Sequence, residues 1–173
     1  ITANLSTDQG VSLARYKNQV IAFGSDSGEL FYNGGNPSGS ILSRSDQNFF
    51  KIGAFGANSI VNVEDTIYWL GASSARGGGV YRLDGFTPVK VSTQEIDAIL
   101  NILLGSSVVG QFMYLGAASV SGNINLFLTN ISRYVETGLT SSIQSLLYDV
   151  SLNQWHGWGS GAGTSSPNGS FHL

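Results

Sequence analysis

Two neighbouring stretches decide how this chain is read. The first is Asn62-Val63-Glu64-Asp65-Thr66-Ile67-Tyr68-Trp69-Leu70-Gly71. The second is Gly77-Gly78-Gly79-Val80-Tyr81-Arg82-Leu83-Asp84-Gly85-Phe86-Thr87-Pro88-Val89-Lys90-Val91-Ser92-Thr93. Short apolar runs alternate with turn residues, which is the pattern of neighbouring antiparallel strands joined by tight turns. Strand candidates 59–63 and 66–70 flank Glu64-Asp65. Candidates 79–83 and 87–91 flank Asp84-Gly85, a strong hairpin signal because both residues tolerate positive φ. Four strands in so short a span is the content of one β-propeller blade.

Weaker copies lie on either side. Before it, strand candidates 11–16, 19–24, 28–32, 41–44 and 49–52 are separated by Lys17-Asn18, by Ser25-Asp26-Ser27 and by the Gly- and Asn-rich loop 33–40. After it come candidates 108–117, 124–129, 145–150 and 154–158, with 130–142 read as an insertion. Phe31-Tyr32, Val80-Tyr81 and Leu147-Tyr148 mark one equivalent strand in each copy. The expectation is an all-β chain, a partial β-propeller of about three four-stranded antiparallel blades, roughly 11–53, 58–92 and 108–158. Three blades do not close a ring of four to eight. With Ile1 at the start and Met113 the only methionine, residues 1–173 are read as a single propeller segment of a longer chain.

One short helix is inserted near 93–104. Ser92-x-x-Glu95 fits a capping box, and Ile96, Ile99, Leu100 and Leu103 fall on one face at helical spacing. Gly105 is the expected stop.

Composition narrows the function. Only 11% of the 173 residues are charged, against about 25% in ordinary domains. Twenty-three glycines and many Ser, Asn and Thr residues give a polar but weakly charged surface. The net charge is −3 and no basic run occurs, which argues against sequence-specific DNA binding through a basic patch. Cysteine is absent, which excludes disulfides and thiol chemistry. No apolar run approaches the roughly 20 residues of a membrane span, so no membrane segment is expected.

Candidate chemical groups are sparse. His156 alternates with Trp155 and Trp158, and His172 is far from it in sequence. No neighbouring acid or nucleophile completes a catalytic set around either. Asp26 with Glu29, Glu64 with Asp65, Asp84 and Asp149 are the carboxylates to weigh for a glycosidase pair. Most sit in turns, where acids serve the backbone, and Asp149 is placed to bond to its own turn. Gly77-Gly78-Gly79 lacks the lysine and following helix of a phosphate loop. Tyr68, Trp69, Tyr81, Phe86, Tyr114, Tyr148, Trp155 and Trp158 suit packing between blades better than ring stacking on a ligand. No catalytic residue, cofactor or metal is expected.

Residues 60–71, then Gly79-Val80-Tyr81-Arg82 and Gly85-Phe86-Thr87-Pro88-Val89-Lys90-Val91-Ser92-Thr93, resemble the packaged-DNA stabilisation proteins of P22-like short-tailed phages, their tail hub or nozzle proteins. Leu147-Tyr148-Asp149-Val150 with Trp155-His156 is similar to that family's blade-ending hairpin. The resemblance implies a non-enzymatic virion protein of the phage tail. It implies a homo-oligomeric ring beside other tail proteins (adaptor, fibre or needle). The ring's channel would retain packaged DNA with non-specific contact and conduct it at ejection. The alternative from the residues is a carbohydrate-binding or glycoside-hydrolysing propeller involved in receptor recognition.

Overall fold

The computed structural model describes residues 8–36, 38–72, 78–104, 114–120, 123–129 and 145–158. The chain divides into two compact units, Ile1–Val91 and Ser92–Leu173.

The first unit holds two antiparallel sheets. One is β1 (Gly10–Tyr16), β2 (Gln19–Gly24), β3 (Gly28–Asn33) and β4 (Leu42–Phe50), in that spatial order. The other is built from β5 (Gly53–Ala54), β6 (Ile60–Val63), β7 (Thr66–Ala72), β8 (Gly79–Asp84) and β9 (Thr87–Lys90). Both β5 and β6 pair with β7, so they act as one edge strand with an interruption. The interruption is a 3-10 turn, Ala57–Ser59, in which the Ser59 hydroxyl accepts from Gly56 N at 3.1 Å. The sheet therefore has four strand positions, the content of a blade.

Several local expectations change. Segments 41–44 and 49–52 are not two strands but the single β4. Its register on β3 jumps from Phe31↔Arg44 to Glu29↔Phe49, so the polar residues Ser45-Asp46-Gln47-Asn48 bulge out instead of breaking the strand. Asn48 Nδ2 donates to Ser45 Oγ at 2.9 Å across the bulge. The β8–β9 turn is also one residue later than expected. Asp84 pairs with Thr87, so the loop is Gly85-Phe86, with Gly85 at φ 62°. The φ tolerance of Asp84 is not used; only the glycine stands in the left-handed region.

Alternation along the strands builds the core between the two sheets. Tyr16, Ile21, Phe23, Leu30 and Phe50 from the first sheet meet Ile67, Trp69, Tyr81 and Leu83 from the second, with Ile52 and Ala54 between them. Trp69 is fully buried, 5.4 Å from Phe23, 5.7 Å from Phe50 and stacked on Tyr81 at 5.8 Å. Its Nε1 donates to Gly53 O at 3.2 Å. Gly53 lies so close to the β2–β3 turn that an added Cβ would stand 2.1 Å from the Ser25 carbonyl carbon. Glycine is thus required there for close approach of two backbones, not for an unusual φ. The opposite face of the second sheet is buried as well, at Tyr68, Leu70 and Val80.

The second unit contains α1 (Gln94–Leu104) and the antiparallel sheet β10 (Tyr114–Val120), β11 (Asn123–Thr129), β12 (Ser145–Asp149) and β13 (Gln154–Trp158), again in sequence order. Strand β10 runs to Val120, beyond the expected end at 117. The insertion 130–142, the start of the expected strand at 108 and the Gly105 stop lie outside the described residues. Trp155 pairs with Tyr148, their rings 5.0 Å apart, and both are buried. Ile96 and Leu100 form the buried stripe of α1.

Trp69→Ala is expected to lower the unfolding free energy by about 3–5 kcal/mol, measured by urea denaturation, since it removes a large buried ring. Gly53→Val should lower it by about 3 kcal/mol by forcing two backbones apart. A Gly53→Val variant as stable as the parent would show that this contact does not join the sheets.

Candidate functional site

The polar groups singled out from the sequence are placed one by one. Asp149 is 7% exposed, and its Oδ1 accepts from Ser151 N at 2.8 Å and Leu152 N at 3.0 Å. The carboxylate closes the β12–β13 turn, as its position had suggested. Asn153 in that turn has φ 55° and accepts the Tyr148 hydroxyl through Oδ1. His156 is half-buried on β13 opposite Leu147, the neighbour of the buried Trp155. His172 and the side chains of Tyr114 and Trp158 lie outside the described residues.

The other acids separate. Glu64 and Asp65 form the exposed two-residue β6–β7 turn, and Asp84 is exposed at the end of β8. Asp26 stands in the β2–β3 turn, while Glu29 is 3% exposed on β3, paired with Ala22 and Phe49. Among the described residues, no group of three or more His, Cys, Asp or Glu side chains could hold a metal ion. No described helix is long and apolar enough to cross a membrane.

Sequence reasoning passed over Asp8. Its Oδ2 accepts from Asp26 N at 2.8 Å and from Ser27 Oγ at 3.0 Å. It also rests over Gly24, where an added Cβ would stand 2.2 Å from the same oxygen. The carboxylate ties the segment before β1 to the β2–β3 turn, which in turn packs on Gly53. Only an 18-residue separation links Asp8 to Asp26, and no local spacing rule reports such a contact.

The helix cap also moves. Thr93, not Ser92, caps α1: Ile96 N donates to Thr93 Oγ1 at 3.4 Å. The Ser92 hydroxyl donates to Asp97 Oδ1 at 2.6 Å. Glu95 bonds its own backbone N–H and the Thr93 hydroxyl, which together hold its carboxyl below the ordinary value of 4.5. The helix start is satisfied by a shared set of four residues, where a capping box would use two.

These placements give Asp8, Asp97 and Asp149 structural work in turns and at the helix start. The aromatics behave likewise: Tyr68, Trp69, Tyr81, Tyr148 and Trp155 are buried, while Phe86 is 43% exposed. What the fold defines is a set of four-stranded antiparallel sheets, two of them joined by aromatic packing in the first unit, the construction of a β-propeller. A family model described as "Bacteriophage P22 Gp10, beta-propeller" matches residues 1–141. The chain belongs to this phage stabilisation family, and it is a phage structural protein. The matched region takes in β1 to β11, and β12 and β13 complete the third sheet beyond it. A comparison with curated proteins found no match.

Asp149→Ala should lower stability by about 1 kcal/mol, through two part-buried turn amides left without their acceptor. Asp149→Asn, which keeps the Oδ1 acceptor, should recover most of it; equal losses in thermal melts would show that the charge matters instead. Because the folded Glu95 carboxyl titrates below its unfolded value, its stabilisation is present above the ordinary range and lost as pH falls through the folded pKa. Glu95→Gln is therefore expected to lower stability at neutral pH and to leave it unchanged below the folded pKa, so that the acid limb of a stability–pH curve flattens.

Proposed function

We propose that this chain is a component of a phage tail nozzle, where identical copies form a ring beneath the portal and its adaptor. The ring retains the packaged DNA and conducts it outward at ejection. The observation that carries this reading is the family match over residues 1–141, which spans both sheets of the first unit. Composition agrees with it. A channel along which DNA slides works best without strong phosphate contacts, and this chain has net charge −3 and no basic run.

The architecture suits such a role because its aromatics serve packing. A carbohydrate-handling propeller uses exposed rings and paired acids, and here five of the aromatics on which that reading rests are buried. No specific observation favours it. Partners under the nozzle reading are further copies of the chain and adjoining tail proteins, with DNA touched only non-specifically in the channel.

Mass spectrometry of purified virions should find this protein at several copies per particle, and electron microscopy should place it as a ring at the tail. Virions that lack it, or that carry a single copy, would overturn the proposal. Particles assembled without it should package DNA and then lose it, read as a fall in DNA-filled heads on density gradients.

A further inference from the structure

Three two-residue turns lie at one end of the first unit. Tyr16 pairs with Gln19 across Lys17-Asn18, Val63 with Thr66 across Glu64-Asp65, and Asp84 with Thr87 across Gly85-Phe86. Two contacts bring the turns of both sheets together. Asn62 Nδ2 donates to Arg15 O at 3.0 Å, and Phe86 meets the edge of Tyr16 with ring centroids 6.3 Å apart.

Charge is concentrated and divided at this end. The first sheet contributes Arg15 and Lys17, and the second contributes Glu64, Asp65 and Asp84, all five exposed. They are two of the chain's eight basic residues and three of its eleven acidic ones, in a protein only 11% charged. Among the described residues no ion pair joins the two sets; the one ion pair there links Arg44 to Asp46. The cations are held in place: Arg15 Nε donates to Lys17 O at 3.2 Å, and Lys17 Nζ stands 5.2 Å from the Tyr16 ring centre.

Backbone conformation marks the same residues. Lys17 has φ 52° and Glu64 φ 51°, in the left-handed region where a Cβ is crowded. The third turn places Gly85 at φ 62° in the equivalent position. Glycine would relax the first two turns as it does the third. Charged residues kept in a disfavoured conformation point to a use for the charge, beyond making the turn.

The pattern also selects the partner. Nucleic acid phosphates facing this surface would meet three carboxylates beside two cations, a poor match. A surface split into a cationic and an anionic half matches a neighbour split in the same way and laid alongside it. We propose that this end is a contact between copies of the chain, with Arg15 and Lys17 of one copy facing Glu64, Asp65 and Asp84 of the next. The exposed Phe86, lying against Tyr16 between the two halves, supplies the apolar part of the contact. Such a head-to-tail contact repeats from copy to copy, and forms a ring when the rotation at each step closes. The inference rests on the ring reading for the presence of several copies, and adds the surface that joins them.

The test uses the full chain and two charge reversals, R15E/K17E and E64K/D65K/D84K, sized by analytical ultracentrifugation at low and high salt. The parent is expected to assemble, and to assemble less as salt screens the contact. Each reversal alone should weaken assembly by about tenfold or more, and an equimolar mixture of the two should restore it. Lys17→Gly and Glu64→Gly guard against misfolding: each should melt at or above the parent's temperature and still assemble less. Reversals that assemble like the parent would sink this contact and leave the ring reading standing. A parent that stays monomeric at every concentration overturns both. Unchanged assembly with loss of binding to a short DNA duplex in R15E/K17E would make the surface a nucleic-acid site and overturn the proposal.

Discussion

The contact around Trp69 is the constraint on which the first unit depends. One indole packs against Phe23 and Phe50 of the opposite sheet, stacks on Tyr81 of its own, and hydrogen-bonds the Gly53 carbonyl. Gly53 can offer that carbonyl only because its missing side chain lets β5 approach the Ser25 backbone. The Ser25–Ser27 turn is in turn held by the Asp8 carboxylate. A chain of dependencies thus runs from Asp8 through the β2–β3 turn and Gly53 to the indole. Each member fixes where the next can stand, which is how a few groups set the spacing of two sheets.

The same economy of charged groups shapes function. A protein with so few charges has little surface for electrostatic recognition, so where they gather carries information. Asp8, Asp149 and Asp97 are absorbed by turns and by the helix start. Arg15, Lys17, Glu64, Asp65 and Asp84 stay exposed together at one end of the unit. The contact proposed above uses this surface, where charges of both signs could recognise a neighbouring copy.

Much of the fold was legible because strand signals are local. Alternation at Ile67-Tyr68-Trp69-Leu70, the turn at Glu64-Asp65 and the hairpin of candidates 145–150 and 154–158 are each contained within about fifteen residues. The errors were local as well, and each has a physical cause. Ser45-Asp46-Gln47-Asn48 looks like a break because it is polar, yet a bulge lets polar residues leave the sheet while the strand continues. Asp84-Gly85 looks like the turn because both residues suit positive φ, yet pairing of Asp84 with Thr87 moves the loop to Gly85-Phe86. Ser92 and Thr93 are both good caps, and only the position of Ile96 N selects Thr93.

By itself the sequence determined the fold class, the hairpin of the second sheet around Glu64-Asp65, the resemblance to a phage structural family, and the assignment of Asp149 to its own turn. All of these rest on residue types at short spacing, where backbone geometry leaves few alternatives. Tertiary structure alone decided that Asp8 anchors a turn 18 residues away, that Gly53 is a point of backbone contact, and that the charges of three separate turns share one end of the unit. Those facts depend on which distant segments meet, and packing between sheets, not local propensity, settles that.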